Sequence, residues 1–318
     1  MGSHLHTVSV RSLLATLLGC SLFATTHPTS AMAQEQVALV DLASPSPASE
    51  FASPEEAMGA FRSAIKASDL DKLAALIGLD ADRLKKTEGV AGTLDLIKAG
   101  VSRRIGLETQ GDQSIIDVGL IMWPFPFPIV KQENGKFAFD AVTGIEEIIN
   151  RRVGENEIQT IETIRGYVDA QEDYALDDHD GDGVLEYAQK LVSSEGKADG
   201  LYWPMNEGLG PSPAGPFIDF EQYGNRDAAG YFGYRYKVLS RQGDNIAGGN
   251  FDYVINGNMI AGFALVAWPV KYGETGINTF VVNRNGIVYQ ADLGTDTGKM
   301  APDIRRFNPG TSWAVTED

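Results

Sequence analysis

The acidic loop, Asp178-His179-Asp180-Gly181-Asp182-Gly183, has the spacing that is most informative about chemistry in this sequence. In a D-x-D-x-D-G pattern the carboxylates at alternate positions converge on one hard cation, and the glycine permits the sharp turn that brings them together. Oxygen ligands of this kind suit calcium. The acidic loop therefore predicts a Ca²⁺ site.

Counting positions as in an EF-hand loop extends the predicted ligand set. With position one at the first aspartate, the six ligands are Asp178, Asp180, Asp182, the carbonyl of Val184, Glu186 and Gln189. The twelfth position holds a neutral glutamine where tight sites have a bidentate glutamate, so we expect a dissociation constant on the order of 10⁻⁴ to 10⁻³ M. The alternative is a solvated acidic turn that binds no ion. His179 lies between ligand positions and is expected to point outward, without a catalytic role.

The cysteine and histidine content limits other kinds of site. The sequence has one cysteine, Cys20, and four histidines, of which His4, His6 and His27 lie near the N-terminus. If the leader described below is removed, the mature chain has no thiol and His179 is its one imidazole. Disulfides, cysteine nucleophiles and zinc sites built on several histidines are then excluded.

The formal net charge of −17 limits the class of partner. An acidic surface repels nucleic acid and anionic lipid, and it attracts divalent cations. Alternatively, the negative charge serves only to keep an exported protein soluble. We therefore expect no nucleic-acid partner.

The first 33 residues have the features of a signal peptide. Arg11 precedes an apolar run over 12–26, and Ala31-Met32-Ala33 is an A-x-A cleavage site. The apolar run is shorter than the roughly 20 residues of a spanning helix, so no membrane span is expected in the mature chain. Alternatively, Leu17-Leu18-Gly19-Cys20 resembles a lipobox, in which Cys20 would carry a lipid anchor. Both interpretations predict a periplasmic or extracellular protein.

After the leader, the sequence predicts a flexible linker over 34–52 and two folded domains, 53–153 and 154–318. The first domain begins at Ser53-Pro54-Glu55-Glu56, which has the pattern of a helix-capping box. The predicted helices are one from Ser53, a second over 69–78, helical sequence broken by glycines over 80–106, and a short helix over 145–152. A break is predicted at Gly154, before the next helix. Strands are predicted over 114–122, 128–131 and 136–140.

The second domain is predicted to begin with a long helix over 155–175 that leads into the acidic loop. A short helix over 185–192 is expected to follow, as in an EF-hand. Strands are predicted over 231–239, 251–255, 261–270, 279–283 and 286–291, with tight turns at Asn256-Gly257 and Asn285-Gly286. The fold class is α+β: N-terminal helices with a small antiparallel sheet, then the long helix, the calcium-type loop and a C-terminal antiparallel meander.

Five segments of the sequence resemble a bacterial envelope family catalogued as domain of unknown function 2950. They are Trp123-Pro124-Phe125-Pro126-Phe127-Pro128-Ile129-Val130-Lys131, Glu146-Glu147-Ile148-Ile149-Asn150-Arg151-Arg152, Tyr167-Val168-Asp169-Ala170-Gln171, Asp180-Gly181-Asp182-Gly183-Val184-Leu185-Glu186-Tyr187-Ala188-Gln189 and Gly262-Phe263-Ala264-Leu265-Val266-Ala267-Trp268-Pro269. The family has no established activity. The resemblance therefore implies an exported protein and supplies no catalytic residues.

The order of elements in the C-terminal half is similar to the head of type IV pilins and pseudopilins. The resemblance is carried by a long helix with Tyr167, Ala170 and Tyr174, a loop, and a meander that ends in 279–289. In some pilin heads a calcium ion holds the loops, so the resemblance implies the same role here. The sequence departs from pilins because it lacks their apolar N-terminal helix and processing site.

The leading functional hypothesis is a non-enzymatic periplasmic or envelope protein, stabilised by one calcium ion, with an unknown envelope protein or a glycan as its partner. A second hypothesis is a carboxylate-based or metal-assisted hydrolase that uses Asp169, Glu172 and Asp173 on the long helix. A third is a small-ligand or glycan-binding module. The candidates for its walls are Trp123, Phe125 and Arg151, because alternating prolines could display the aromatic side chains, although the same side chains could also close a core.

Overall fold

The computed structural model describes residues 39–87, 89–205, 208–217 and 229–317. The predicted signal peptide and the lipobox cysteine Cys20 lie outside the described residues. The chain divides into two compact units between Arg152 and Val153. Within the described residues, no helix is both long enough and apolar enough to cross a membrane.

Four helices form the first half of the first unit. They are α1 Pro54–Ala67, α2 Leu70–Ile77, α3 Ala81–Lys86 and α4 Val90–Arg103, preceded by a 3₁₀ turn at Leu39–Leu42. The Ser53 half of the predicted capping box is confirmed at the start of α1, whereas the Glu56 side chain bonds to the residue before the N-cap. Ser53 Oγ accepts a hydrogen bond of 3.2 Å from the Glu56 N–H, and the Glu56 carboxylate accepts one of 2.9 Å from the Ala52 N–H. The glycine-broken sequence forms two helices that are separated near Gly89.

An antiparallel sheet completes the first unit. Its strands are β1 Ile105–Gln110, β2 Gln113–Val118, β3 Trp123–Pro124, β4 Ile129–Lys131 and β5 Phe137–Phe139, in the order β1-β2-β4-β5, with β3 also paired to β2. Strand β1 was not predicted. It pairs with β2 so that Leu107 lies opposite the fully buried Ile116. This pairing explains why the helical pattern of the preceding residues does not continue into β1. The predicted turn at Asn134-Gly135 joins β4 to β5, with Gly135 at φ +80°.

The aromatic side chains of the 123–128 segment pack mainly in the core of the first unit. Phe125 and Phe127 are buried, and the Phe125 ring lies 4.6 Å from that of Phe61 and 5.4 Å from that of Phe127. A Cβ atom at Gly144 would lie 2.0 Å from the Phe127 ring, so the glycine allows the next helix to approach this core. Phe125 and Phe127 are therefore core residues that the prolines hold in an extended segment.

One helix of 34 residues, α5 Ala141–Tyr174, replaces the two helices predicted in this region. The predicted break at Gly154 was wrong. A glycine inside a helix costs only about 1 kcal/mol relative to alanine, and its neighbour Val153 is buried. Asp140 caps the start of the helix, since its Oδ1 accepts hydrogen bonds of 3.1 Å from the N–H groups of Val142 and Thr143.

The second unit contains a five-stranded antiparallel sheet in the order β14-β13-β12-β11-β6. These strands are β6 Tyr234–Leu239, β11 Ala264–Pro269, β12 Asn278–Asn283, β13 Tyr289–Asp292 and β14 Ala314–Val315; two short ladders pair β7 Arg241–Gln242 with β8 Phe251–Asp252 and β9 Val254–Ile255 with β10 Asn258–Met259. Neighbouring strands in this sheet also follow one another along the chain, except that the short ladders β7–β10 lie between β6 and β11. The predicted α+β class and C-terminal meander are therefore confirmed.

The two faces of this sheet pack against different elements. On one face, the Tyr167 hydroxyl of α5 donates to the Ala264 carbonyl over 3.2 Å. On the other, Tyr289 of β13 packs against Phe307, with ring centroids 5.9 Å apart, close to the short helix α6 Thr297–Met300. The C-terminal half of α5 and the segment after β13 thus enclose the sheet.

Asp117 on β2 supports a prediction about pH. Only 4% of this residue is exposed, and burial together with the nearby charge of Glu108 raises the pKa of its carboxyl above the ordinary value of 3.8. The folded state therefore favours the protonated form, and the stability that this form contributes is lost as the pH rises through the raised pKa. We expect Asp117→Asn to raise the melting temperature at pH 7 and to have little effect near pH 3.5.

Melting curves between pH 3.5 and 8 would measure this difference. Asp112→Asn, in the exposed turn between β1 and β2, is the control and should follow the wild type at every pH. A melting temperature of Asp117→Asn that runs parallel to the wild type across the whole range would contradict the prediction.

Candidate metal site

The acidic loop begins shortly after the end of α5, and its own side chains fold it. The Asp178 carboxylate accepts hydrogen bonds from the Gly181 N–H over 2.8 Å and from the Gly183 N–H over 2.9 Å. The two glycines have φ values of +79° and +85°, which are favourable for glycine and strained for other residues. The sequence pattern thus specifies a loop that wraps around the Asp178 carboxylate.

Three aspartates of this loop converge. Asp178, Asp180 and Asp182 each offer one carboxylate oxygen, and these oxygens lie within 4.8 Å of one another on the exposed surface. Calcium binds oxygen at 2.3–2.6 Å, so two ligands of one ion are separated by up to about 5 Å. Among the residues that the structure describes, this is the only group of three or more acidic, histidine or cysteine side chains placed in this way. Its donor set fits a hard divalent cation.

The surroundings of Asp178 favour its ionised form. Hydrogen bonds from the backbone of Gly183 and Gly181 lower the pKa of the Asp178 carboxyl below its ordinary value. Three carboxylates this close also repel one another, and a divalent cation would remove that repulsion. The geometry of the three carboxylates is thus compatible with a bound cation.

A hairpin formed by β9 and β10 contacts the other predicted ligands. The Glu186 carboxylate accepts a hydrogen bond from the Met259 N–H over 2.9 Å, and the Gln189 side-chain amide donates to the Gly257 carbonyl over 2.6 Å. Asn258, which the sequence analysis did not identify, donates from Nδ2 to Asp182 Oδ2 over 2.6 Å. Val184 directly follows the acidic loop, and its N–H donates to Asp182 Oδ1 over 2.8 Å. The structure thus brings the aspartates together and places Glu186 and Gln189 against the hairpin.

The helix predicted over 185–192 is wrong. This segment is irregular, with isolated bridges at Tyr187 and Val192, and the Tyr187 N–H donates to the Met259 carbonyl over 2.9 Å. Other backbone groups of the segment also bond to residues distant in sequence, so their hydrogen bonds are made without a helix. The acidic loop therefore joins a helix to an irregular segment and is not part of an EF-hand pair of helices.

His179 points inward, which corrects the expected outward orientation. Its Nε2 lies 3.0 Å from the Tyr174 carbonyl oxygen at the end of α5. Its ring stacks on the Tyr174 ring at 4.0 Å and meets the Trp203 ring edge-on at 5.7 Å. The imidazole therefore fastens the acidic loop to the end of the helix.

Gln171 is an important residue that the sequence analysis did not single out. Its side chain is fully buried, Oε1 accepts from the Ala188 N–H over 2.8 Å, and Nε2 lies 2.9 Å from the Ala188 carbonyl and 3.0 Å from the Tyr167 hydroxyl. A glutamine four residues after a buried tyrosine on an apolar helix face was the available signal. The amide holds the segment after the acidic loop against α5.

The carboxylates proposed for a hydrolase do not form a cluster. Asp169 and Asp173 are exposed on α5, whereas Glu172 accepts a hydrogen bond of 2.9 Å from Arg284 Nε. None of the three belongs to the converging group described above. Their arrangement is that of a solvated helix face.

The wall residues proposed for a ligand site are engaged within the first unit. Arg151 donates to the Glu147 carboxylate over 2.7 Å and to the Pro124 carbonyl over 3.0 Å, and its guanidinium lies 5.4 Å from the centre of the Trp123 ring. Phe125 is in the core. These side chains brace the aromatic segment.

An open cleft of about 470 Å³ lies in the second unit instead. Its lining comprises Gln159, Glu162, Thr163, Pro216, Phe217, Tyr231 and Phe232. Polar groups of α5 thus face aromatic rings across a volume within the range of ligand pockets, roughly 300–1,000 Å³.

These observations define an α+β protein of two compact units with a three-carboxylate loop after its long helix. Over residues 48–316 the sequence matches the family described as a protein of unknown function (DUF2950). The chain belongs to this family, and the resemblance inferred from the sequence is confirmed. No curated protein and no solved structure matches the chain. The resemblance to pilin heads stays a prediction.

Proposed function

We propose that the protein is an exported, non-enzymatic envelope protein in which one calcium ion at the acidic loop stabilises the second domain. The convergence of the Asp178, Asp180 and Asp182 carboxylates is the observation that carries the proposal. The leader over residues 1–33 supports export, with a lipid anchor at Cys20 as the alternative form. An unknown envelope protein or a glycan is the proposed partner.

The surroundings of the loop support a structural role for the ion. His179 joins the loop to the end of α5, and Asp182 joins it to the β9–β10 hairpin through Asn258. A cation at the three aspartates would hold these two attachments together and remove the repulsion between the carboxylates. The proposed ligand set is completed by Val184, Glu186 and Gln189. To bind the ion, Glu186 and Gln189 would give up their hydrogen bonds to the hairpin.

The proposed domains are residues 53–153 and 154–318, with a linker over 34–52. The described part of this linker, 39–52, packs on the first domain, because Leu42 is buried and Phe51 pairs with Phe137. The division of the chain between Arg152 and Val153 supports this boundary. Residues of α5 lie on both sides of this boundary.

Calcium titration of the chain from Gln34 onward tests the metal site. With a dissociation constant on the order of 10⁻⁴ to 10⁻³ M, roughly 10 mM calcium should stabilise the fold by about 1.4–2.7 kcal/mol relative to chelator. Asp180→Ala and Asp182→Ala should bind no ion by calorimetry and should melt at the same temperature in calcium and in chelator.

Asp169→Ala and Asp173→Ala are the matched controls, because they remove exposed carboxylates from α5 and leave the loop intact. Both should retain the calcium response of the wild type. A wild-type protein that takes up no ion, or controls that lose the response as fully as the loop variants, would rule out the site.

The second candidate function is binding of a small ligand or glycan, and the cleft beside Gln159, Glu162 and Phe217 favours it. Its aromatic rings can stack on a sugar ring, and its amide, carboxylate and hydroxyl groups can bond to sugar hydroxyls. A thermal-shift screen with neutral oligosaccharides tests this function. Stabilisation that Glu162→Ala abolishes would support it over a purely structural role.

A further inference from the structure

The turn between β2 and β3 exposes two large aliphatic side chains. Leu120 is 68% exposed and Ile121 is 54% exposed, and they occupy the two central positions of a turn closed by the Met122 N–H and the Gly119 carbonyl over 3.2 Å. Glycine, proline and short polar residues dominate such positions. The Leu120–Ile121 pair, called the aliphatic tip below, therefore has no role in the core and is not what turn geometry requires.

The backbone holds the aliphatic tip in one conformation. The Gly119 N–H donates to the Arg104 carbonyl over 2.9 Å, and a Cβ atom at Gly100 would lie 2.6 Å from the Val118 side chain, so the end of α4 packs closely on the base of the turn. Met122 has a φ of +53°, which is uncommon for a residue other than glycine. The tip is thus an ordered projection of the first unit.

Basic and aromatic residues adjoin the aliphatic tip. Arg103 and Arg104, at the end of α4, are exposed. Within the described part of the chain neither has a carboxylate at ion-pair distance, and Arg104 interacts at longer range with the buried Asp117. Trp123 lies two residues after the tip and is half-buried, with the Arg151 guanidinium 5.4 Å from its ring centre. In a chain with a net charge of −17, this surface is a local exception to the acidic character.

An aliphatic projection with tryptophan and arginine at its base matches the layers of a bilayer surface that contains anionic lipid. Aliphatic side chains suit the acyl region, tryptophan concentrates at the interface, and arginine contacts the phosphates. A protein partner that covered the tip would need no basic residues beside it. The charge complementarity therefore favours lipid as the occupant.

We propose that the aliphatic tip is a membrane-contact site that docks the first unit on an anionic lipid surface, with Arg103 and Arg104 bound to lipid phosphates. The whole-chain charge opposes this contact at long range, so binding is weak and reversible. The site is independent of the proposed calcium ion, and either proposal can fail without the other.

Sedimentation with lipid vesicles tests the proposal on the chain from Gln34 onward. Vesicles of phosphatidylcholine with 30% phosphatidylglycerol, on the order of cellular anionic content, are compared with vesicles of phosphatidylcholine alone. The wild type should sediment with the anionic vesicles. A Leu120→Ser and Ile121→Ser double variant should lose at least about tenfold in lipid affinity, because two buried aliphatic side chains are lost. An Arg103→Ser and Arg104→Ser double variant should lose the preference for anionic vesicles.

Leu176→Ser is the matched control, because this leucine is 72% exposed in the second unit and lies outside the tip. It should sediment as the wild type does. All five substituted positions are exposed, so unchanged melting temperatures would verify that the variants fold. A wild type that stays in the supernatant, or a tip variant that sediments like the wild type, would overturn the proposal and leave a protein partner as the occupant.

Discussion

Replacing Gln171 with leucine is expected to lower the free energy of unfolding of the second unit by about 2–4 kcal/mol. The side-chain amide is fully buried and bonds to both the N–H and the carbonyl of Ala188, in the way that a neighbouring strand would. Leucine has a similar size but leaves both backbone groups without a partner in the interior. Each buried group left unsatisfied costs about 1–3 kcal/mol, and the Tyr167 hydroxyl also loses a contact.

Urea unfolding followed by tryptophan fluorescence measures this loss, because Trp203 and Trp268 are buried in the second unit. Gln159→Leu is the matched control. It makes the same chemical change on the same helix, at a half-buried position whose amide, among the described residues, donates to Glu155 over 3.3 Å and makes no buried backbone contact. It should change stability by no more than about 0.5 kcal/mol. Equal losses in the two variants would show that the Ala188 contact has little energetic weight.

The same contact explains why the segment after the acidic loop was predicted incorrectly. Residues 185–192 have apolar side chains at helical spacing, and this spacing is a local property of the sequence. In the folded chain, the Gln171 side chain forms hydrogen bonds with the N–H and the carbonyl of Ala188, and the Met259 carbonyl accepts a hydrogen bond from the Tyr187 N–H. Partners that lie 17 and 72 residues away along the sequence decide the conformation, and no short-range pattern contains them.

Elements with local causes were predicted well. The capping box at Ser53 and the glycine turns at 134–135 and 256–257 depend on residues within a few positions of one another. The antiparallel meander followed from short connections between apolar strands. The α+β class could therefore be predicted from the sequence, whereas the continuous α5 depended on burial around Gly154 that the sequence does not reveal.

The candidate site divides along the same lines. Asp178, Asp180 and Asp182 converge because the loop that joins them is short and contains glycines at the required φ values. The inward position of His179 depends on Trp203, and the placement of Glu186 and Gln189 depends on the distant β9–β10 hairpin. Ligand spacing predicted the cluster, and tertiary packing determined its surroundings.

Glu157 on α5 carries the second large expected effect, and it too acts over a long sequence separation. Its Oε1 accepts hydrogen bonds of 2.8 Å from the N–H groups of both Ile277 and Asn278, and its Oε2 accepts one of 3.1 Å from the Asn278 side chain. The hydroxyl of the fully buried Tyr234 lies 3.3 Å from Oε1. Burial together with the charge of Glu157 raises the pKa of the Tyr234 hydroxyl, so the hydroxyl stays protonated. One carboxylate thus joins the helix to the start of β12.

Glu157→Ala is therefore expected to lower the free energy of unfolding by about 2–4 kcal/mol, because three N–H donors lose a charged acceptor, whereas the Tyr234 hydroxyl can still donate to the Asn278 carbonyl at 3.0 Å. Glu157→Gln should recover part of this loss, since its one carbonyl oxygen can accept from the two N–H groups while its amide hydrogens oppose the other donors. Glu162→Ala, an exposed change five positions along the same helix, should leave stability within about 0.5 kcal/mol of the wild type. The measurement is again urea unfolding. If Glu157→Ala were no more harmful than Glu162→Ala, solvent would have to satisfy the β12 N–H groups, and the junction between α5 and β12 would be held by apolar packing alone.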